Sequence, residues 1–200
     1  MAVQLVLALL ALFSLSAASE PDCEELVKPL SLEDRSPIYG KWIFLAGTSD
    51  NEDFLKHLKT VNNSWIELSP SSDSNVVNLR WGDKIDGKCI HGETNSTFSG
   101  NTTKVTFNFN MSTSDHVGKY LQTCRDCILW TDNSEMVTNG EAKKGRNLYF
   151  FTKTGKVEES QMEDFKKQAA CLKFLSEFHF GEITELCPDE KEAASPANED

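Results

Sequence analysis

The chain has 200 residues, with 31 acidic and 20 basic side chains and a formal net charge of −11 at neutral pH. This length suits one ordinary domain. The excess of acid disfavours nucleic acid and anionic membranes as partners, and it favours solubility.

An apolar run opens the chain, from Leu5 to Phe13, and a segment rich in Ser and Ala follows it as far as Ala18. This order predicts a signal peptide over residues 1–18, with cleavage near Ala18 or Ser19. The run is too short to span a bilayer, and no later stretch is apolar enough to do so. We therefore expect a secreted protein without a membrane span.

Cysteines and glycosylation sequons support the same interpretation. Six cysteines follow the apolar run: Cys23, Cys89, Cys124, Cys127, Cys171 and Cys187. An even number in an oxidising compartment predicts three disulfides, and spacing does not choose among the fifteen possible pairings. Four N-x-S/T sequons lie at Asn62, Asn95, Asn101 and Asn110. After a signal peptide, these predict a glycoprotein with the four asparagines on its surface.

Between Gly40 and Lys153, segments rich in Val, Ile, Phe, Trp and Thr alternate with polar residues and are separated by turn clusters. The predicted strands are Lys41–Thr48, Ser64–Leu68, Val76–Trp81, Lys88–Phe98, Lys104–Met111, Val117–Thr123, Cys127–Asp132 and Asn147–Lys153. In the clearest of them, Val105, Phe107, Phe109 and Met111 share one face, which we expect to be the interior. Eight strands with short spacers predict an all-β fold with an antiparallel up-and-down barrel.

One α-helix is predicted after the strands. Ser160 and Glu163 have the spacing of a capping box, with Ser160 as the N-cap. Apolar residues then repeat at steps of three and four, at Met162, Phe165, Ala169 and Leu172. We expect this C-terminal helix to pack outside the barrel, within a domain over residues 19–187. A further short strand is predicted in Phe178–Ile183, and the acidic tail, residues 188–200, is predicted to be disordered.

A short motif resembles a known family. Gly40-Lys41-Trp42 opens the first strand and is similar to the G-x-W motif of lipocalins, in which the Trp closes the barrel floor. The stretch Gly40–Ile90 resembles the acid glycoprotein (orosomucoid) branch. More similar still are the fish plasma proteins that bind saxitoxin, tetrodotoxin or tributyltin, which share Tyr39–Phe44 and Cys124–Cys127. Where the third lipocalin motif has Arg, this chain has Lys153, which we expect to lie over the Trp42 ring.

The resemblance implies an eight-stranded lipocalin barrel with the disulfides Cys23–Cys171 and Cys89–Cys187. The remaining pair, Cys124 and Cys127, is interpreted as a small structural disulfide. Redox or zinc chemistry at this pair is disfavoured, because the sequence offers neither a βαβ setting nor further ligands at zinc spacing.

The ligand pocket should lie on the inward face of the barrel. In the first strand we place Trp42, Phe44 and Ala46 inward. The resemblance maps family pocket positions onto Phe44, Phe54, Leu58, Val61, Ser64, Ile66 and Leu79. In the later strands Phe107, Phe109, Leu148 and Phe150 are expected to face inward. The glycan site Asn62 is assigned to the loop at the barrel mouth, as is His57, for which a solvated loop residue is favoured over a soft-metal ligand.

The function we expect is that of a plasma carrier that binds or sequesters a small hydrophobic or cationic ligand, such as tributyltin, saxitoxin, tetrodotoxin, a drug or a steroid. The alternative is an acute-phase immunomodulatory glycoprotein that acts through its surface and glycans. An enzyme with a cysteine nucleophile would need a free inward thiol, which six paired cysteines do not leave. We expect no enzyme activity, no cofactor, no metal and a monomer.

Overall fold

The computed structural model describes residues 22–109, 111–175 and 177–189. The predicted signal peptide, the sequon Asn110 and residues 190–200 of the predicted tail lie outside the described residues.

Nine strands and three short or medium helices make up the described chain. The strands are β1 Gly40–Ser49, β2 Val61–Pro70, β3 Val76–Ile85, β4 Lys88–Ser99, β5 Thr102–Phe109, β6 Ser112–Leu121, β7 Cys127–Thr138, β8 Glu141–Thr152 and β9 His179–Phe180. The helices are α1 Cys23–Leu26, α2 Glu52–Leu58 and α3 Glu159–Cys171, with a 3-10 turn at Ser36–Ile38.

The first eight strands form a closed antiparallel barrel. Each strand from β2 to β8 pairs with the next one along the chain, and β1 pairs with both β8 and β2, which closes the sheet. The predicted fold class is therefore confirmed. The strand β9, within the predicted segment Phe178–Ile183, adds to β1 through Ala46 and Gly47.

Three strands extend well beyond their predicted bounds, and one of them, β8, begins at Glu141 rather than Asn147. The strand β6 begins at Ser112 rather than Val117, and β7 continues to Thr138 rather than ending at Asp132. Apart from Met136 and Val137, the residues added to β6 and β7 are polar, so hydrophobic alternation does not reveal them. The prediction for β5 was too long at its end, because the strand stops at Phe109 rather than Met111. The side chain of Met111 is 71% exposed and does not face the interior.

The C-terminal helix α3 packs outside the barrel, as predicted. Phe165 is fully buried, and its ring stacks on Phe150 with 4.8 Å between centroids. The predicted N-cap, Ser160, is wrong. Helix α3 begins at Glu159, two residues before the predicted first helical residue, and its N-cap is Glu158, whose N–H donates to Oε1 of Gln161 at 2.9 Å. The capping box thus uses the same three-residue spacing two positions earlier in the chain.

All three disulfides form as expected. Cys23 pairs with Cys171 and attaches α1 to the end of α3. Cys89 pairs with Cys187 and attaches the C-terminal segment to β4. Cys124 pairs with Cys127 across the turn between β6 and β7. No free cysteine is present in the described chain.

The C-terminal segment packs against the outside of β2 and β3. The indole N–H of Trp65 donates to the Cys187 carbonyl at 2.8 Å. Asp189 is buried, and its carboxylate contacts the guanidinium of Arg80 at 2.5 Å. The ion pair gives the buried carboxylate a partner and holds the chain on the barrel two residues beyond the predicted domain boundary at 187.

Candidate ligand-binding site

The barrel encloses a cavity that is closed at one end. Trp42 fills the floor, where its indole N–H donates to the Ile38 carbonyl at 2.7 Å. The Lys153 ammonium lies 3.5 Å from the centre of the Trp42 ring and donates to the Tyr39 carbonyl at 3.0 Å, as expected for the position of the motif arginine. The floor is therefore held by hydrogen bonds and a cation–π contact, and access is from the opposite end.

The cavity has a volume of about 260 Å³ and a mainly apolar lining. Nine residues of the expected ligand-binding set line it: Phe44, Phe54, Leu58, Val61, Ser64, Ile66, Leu79, Phe107 and Phe109. Such a lining suits a small apolar ligand.

Three residues of the expected set do not line the cavity. Trp42 lies beneath it, in the floor. Leu148 and Phe150 point away from it, toward α3. The prediction for these two was wrong because β8 is apolar on both faces, so its sequence does not reveal which face is inward. The inward residues of β8 are Asn147, Tyr149 and Phe151.

A β-bulge explains the related error in β1. The pairing of β1 with β8 shifts register between Phe44 and Ala46. Phe44 lines the cavity, whereas Ala46 lies on the outer side with the residues that pack against α3. One extra residue in a strand reverses the direction of every side chain after it, so simple alternation fails at this point.

A second bulge places the sequon Asn62. The β2–β3 pairing shifts register between Val61 and Asn63, so Asn62 lies within β2 rather than in a mouth loop. Its side-chain oxygen accepts a hydrogen bond from the Gly87 N–H at 3.2 Å, on the outside of the barrel. The sequons Asn95 and Asn101 are exposed.

The mouth of the cavity is bordered by the helix α2, which was expected to be a loop. Asn51 caps this helix by accepting hydrogen bonds from the N–H groups of Asp53 and Phe54, at 2.9 and 3.3 Å. The cap fixes the first turn, and α2 contributes Phe54, His57 and Leu58 to the cavity lining. Within the described residues, no group of three or more His, Cys, Asp or Glu side chains is placed to hold a metal ion.

Several aromatic rings outside the expected ligand-binding set complete the apolar wall. Trp81 meets Phe107 edge-to-face at 5.1 Å, and Trp130 stacks on Tyr149 at 5.9 Å. Burial raises the pKa of Tyr149 well above its ordinary value, so this phenol stays neutral. Trp81 lies at the end of a predicted strand, where alternation with Leu79 would have placed it inward.

One carboxylate faces the cavity on its β3 side. Asp83 lies directly opposite Ser64 in the β2–β3 pairing, and both residues line the cavity. Burial raises the pKa of Asp83, while a hydrogen bond from Ser64 and the nearby His57 act in the opposite direction. Among the described lining residues there is no Lys or Arg. The cavity therefore offers a negative group to a ligand and no fixed positive one.

A polar network lies in the wall formed by β6, β7 and β8. The Oγ of Ser114 lies 2.8 Å from Nε2 of His116, and Nδ1 of His116 lies 3.2 Å from a carboxylate oxygen of Asp132. Asn147 donates to the other oxygen of Asp132 at 2.8 Å and to Ser134 at 2.8 Å. The Asp132 side chain is fully buried, so its position is fixed by these partners. Sequence reasoning missed this network because Ser114, His116 and Ser134 lie outside the predicted strands.

In the described part of the chain, no helix is long and apolar enough to cross a membrane. The closed antiparallel barrel, the Trp42 floor and the apolar cavity above it define the chain as a lipocalin-type ligand-binding protein. The ApoM domain family matches residues 4–190, and the chain belongs to this family.

Solved lipocalin structures share the fold. The siderocalin Ex-FABP, described as functioning through dual ligand specificities, has a TM-score of 0.57 and 15% identity, covering 77% of this chain and 96% of the siderocalin. The bovine lipocalin allergen Bos d 2 has a TM-score of 0.57 and 14% identity over 78% and 99% of the two chains. A dog lipocalin allergen has a TM-score of 0.57 and 17% identity over 76% and 98%. Barrels of this class bind small hydrophobic ligands in the interior.

Proposed function

We propose that this protein is a secreted, glycosylated plasma carrier that binds one small apolar ligand with a cationic group and sequesters or transports it. The observation that carries this proposal is the Asp83 carboxylate in an otherwise apolar, aromatic cavity whose described lining has no Lys or Arg. Asp83 is half-buried and hydrogen-bonds Ser64, but no cationic side chain of the described lining pairs with it. Withdrawing a carboxylate from water is costly unless it is paired, and a ligand cation would provide the pair.

The aromatic lining supports the same ligand chemistry. Trp81, Trp130 and Tyr149 present ring faces or edges to the cavity, and aromatic faces attract organic cations. A fatty acid would place its carboxylate among these groups with no positive partner. The cationic members of the ligand set implied by the resemblance, saxitoxin and tetrodotoxin with their guanidinium groups and tributyltin as an alkylated metal cation, fit this charge preference better than acids do.

The test uses three ligands that share one ring system: 2-(1-naphthyl)ethylamine, 1-ethylnaphthalene and 1-naphthylacetate. Binding to the purified glycoprotein is followed by quenching of tryptophan fluorescence, with Trp81 and Trp130 in the cavity as reporters. We expect saturable one-to-one binding, tightest for the amine and weakest for the acid. Tributyltin and saxitoxin are then titrated in the same way.

The matched variants are Asp83→Asn and Asp86→Asn. Asp86 is exposed in the turn between β3 and β4, outside the cavity lining, and its positive φ of 49° is one that Asn tolerates. Losing a charge-assisted hydrogen bond costs about 1.5–3 kcal/mol, so Asp83→Asn should weaken amine binding roughly 10- to 150-fold. The neutral ligand should bind the two variants and the parent equally well.

Equal loss of amine and neutral ligand in Asp83→Asn would mean that the carboxylate only supports the cavity wall, and the charge preference would be refuted. No binding by any of the five ligands, with the fold intact and no endogenous ligand detected by mass spectrometry, would refute the carrier. It would favour the acute-phase glycoprotein that acts through its surface, for which the exposed sequons Asn95 and Asn101 are the supporting observation.

A further inference from the structure

The wall opposite Asp83 contains a serine, a histidine and an aspartate in hydrogen-bonded sequence. Ser114 and His116 are two residues apart on β6, so both side chains point inward and both line the cavity. The Oγ of Ser114 is 2.8 Å from Nε2 of His116, and Nδ1 of the same ring is 3.2 Å from Asp132. A nucleophile, a base and a group that orients the base are thus in contact, which is the arrangement that activates a serine.

We propose that Ser114 is an activated nucleophile that captures electrophilic phosphoryl and activated acyl esters covalently inside the barrel. This inference rests on the proposed function only in that the ester must enter the same cavity. It differs from that function because the ligand becomes bonded to the protein.

The reaction is a substitution at phosphorus or at an acyl carbon. The Oγ of Ser114 attacks that atom, a new bond forms from Oγ to it, and the bond to the leaving group breaks. The hydroxyl proton passes to Nε2 of His116, which later releases it to the solvent or to the departing group. Asp132 accepts from Nδ1 and stabilises the imidazolium that forms. No oxidant or reductant is needed.

The position of Asp132 makes it a positioning residue for this base. Its side chain is fully buried, and its second oxygen accepts from the Asn147 amide at 2.8 Å. These contacts hold the carboxylate so that Nδ1 of His116 carries the proton and Nε2 is free to accept one. The serine of the expected ligand-binding set, Ser64, hydrogen-bonds Asp83 instead of a histidine.

The backbone around Ser114 favours capture over rapid turnover. Serine hydrolases usually stabilise the oxyanion with free backbone N–H groups. The strand β6 is paired with β5 and β7 along this stretch, so its N–H groups are engaged in the sheet. Two buried donors of the described cavity wall have no partner, the Trp130 indole N–H and the Thr103 hydroxyl. These can receive a ligand oxygen, but they replace a backbone oxyanion hole only in part.

The experiment incubates the full glycoprotein with diisopropyl fluorophosphate, a small neutral phosphoryl fluoride that does not depend on the Asp83 charge. After enzymatic removal of glycans, intact mass and peptide mapping report the amount and position of the adduct. We expect one diisopropylphosphoryl group per chain, on Ser114, with fluoride as the leaving group. In Ser114→Ala the adduct should be absent.

The matched control is Ser99→Ala. Ser99 is exposed at the end of β4, outside the cavity lining and the polar network. This variant should be labelled as fast as the parent protein. His116→Gln removes the base and should slow labelling about 100-fold or more.

Asp132→Asn tests positioning rather than folding. An amide donates a hydrogen to Nδ1 and forces the proton onto Nε2, the wrong nitrogen for a base. The labelling rate constant at saturation should fall at least about tenfold, while the reagent concentration that gives half-saturation stays unchanged. A merely structural role would alter both, together with the affinity for the reversible naphthyl ligands.

The proposal is refuted if the parent protein binds the naphthyl ligands reversibly but acquires no adduct, or if the adduct maps to a tyrosine or to Ser134. It is also refuted if Ser114→Ala is labelled like the parent. Failure of reversible binding in all proteins would instead refute the carrier function. In that event, an adduct on Ser114 would still support the activated serine.

Discussion

Phe150 and Phe151 are adjacent in β8, and their side chains lie on opposite sides of the barrel wall. Phe150 is fully buried between the barrel and α3, and its ring stacks on Phe165. Phe151 lines the cavity, and its ring meets Phe44 edge-to-face at 5.7 Å. The matched substitutions Phe150→Leu and Phe151→Leu therefore separate packing outside the barrel from ligand contact inside it.

We expect Phe150→Leu to lower the free energy of unfolding by about 2 kcal/mol, made up of roughly 1 kcal/mol of lost burial and about 1 kcal/mol of aromatic stacking. In a chain of this size, that corresponds to a fall in Tm of about 4–8 °C. Since Phe150 does not touch the cavity, the affinity for 2-(1-naphthyl)ethylamine should not change. Phe151→Leu removes a cavity wall contact worth about 1 kcal/mol and should therefore weaken the affinity for this amine about fivefold.

Thermal unfolding followed by circular dichroism, with the disulfides intact, measures the first quantity, and the fluorescence titration measures the second. If Phe150→Leu changed the affinity as much as Phe151→Leu does, or if it left the Tm unchanged, the assignment of the two faces of β8 would be refuted. The original expectation from alternation, that Phe150 faces the ligand, would then be restored.

Two further predictions concern stability. Because burial raises the pKa of Asp83 above its ordinary 3.8, the folded protein holds this proton more tightly than the unfolded chain does, so the residue costs stability as pH rises above about 4. The ligand-free Asp83→Asn protein should therefore be more stable than the parent at pH 7 in urea unfolding, with no difference below pH 3.8, and an equal or lower stability at pH 7 would contradict this. From the chain-entropy relation, removing Cys124–Cys127, three residues apart, should cost about 2 kcal/mol, and removing Cys23–Cys171, 148 residues apart, about 5 kcal/mol. Ser-for-Cys double variants compared by urea unfolding test this order, and a larger loss from the short loop would refute it.

The barrel could be predicted from the sequence because most inward positions are apolar or lie next to a recognisable motif. Phe107 and Phe109 alternate with polar residues in β5, and both line the cavity. Gly40 and Trp42, as parts of the G-x-W motif, predicted the start of the first strand and the residue that closes the barrel floor. In these places, local pattern and tertiary position agree, and a single sequence is enough.

The prediction of which side chains face the cavity failed in strands whose two faces have the same polarity. In β8, the run Leu148-Tyr149-Phe150-Phe151 is apolar throughout, since α3 covers the outside while the ligand cavity lies inside. Periodicity then contains no information about direction. The bulge between Phe44 and Ala46 reverses the inward and outward alternation of side chains in β1, and no sequence pattern indicates where it occurs.

The polar wall was missed for the opposite reason. Ser114, His116 and Ser134 face the interior, but a strand with polar residues at its inward positions is read as solvent-exposed or irregular. Hydrophobic burial alone does not require these residue types there, and each must be compensated by a hydrogen bond. The polar segments missing from the predicted strands are thus those that hold Ser114 and His116, which is consistent with function, rather than folding, having set their residue types.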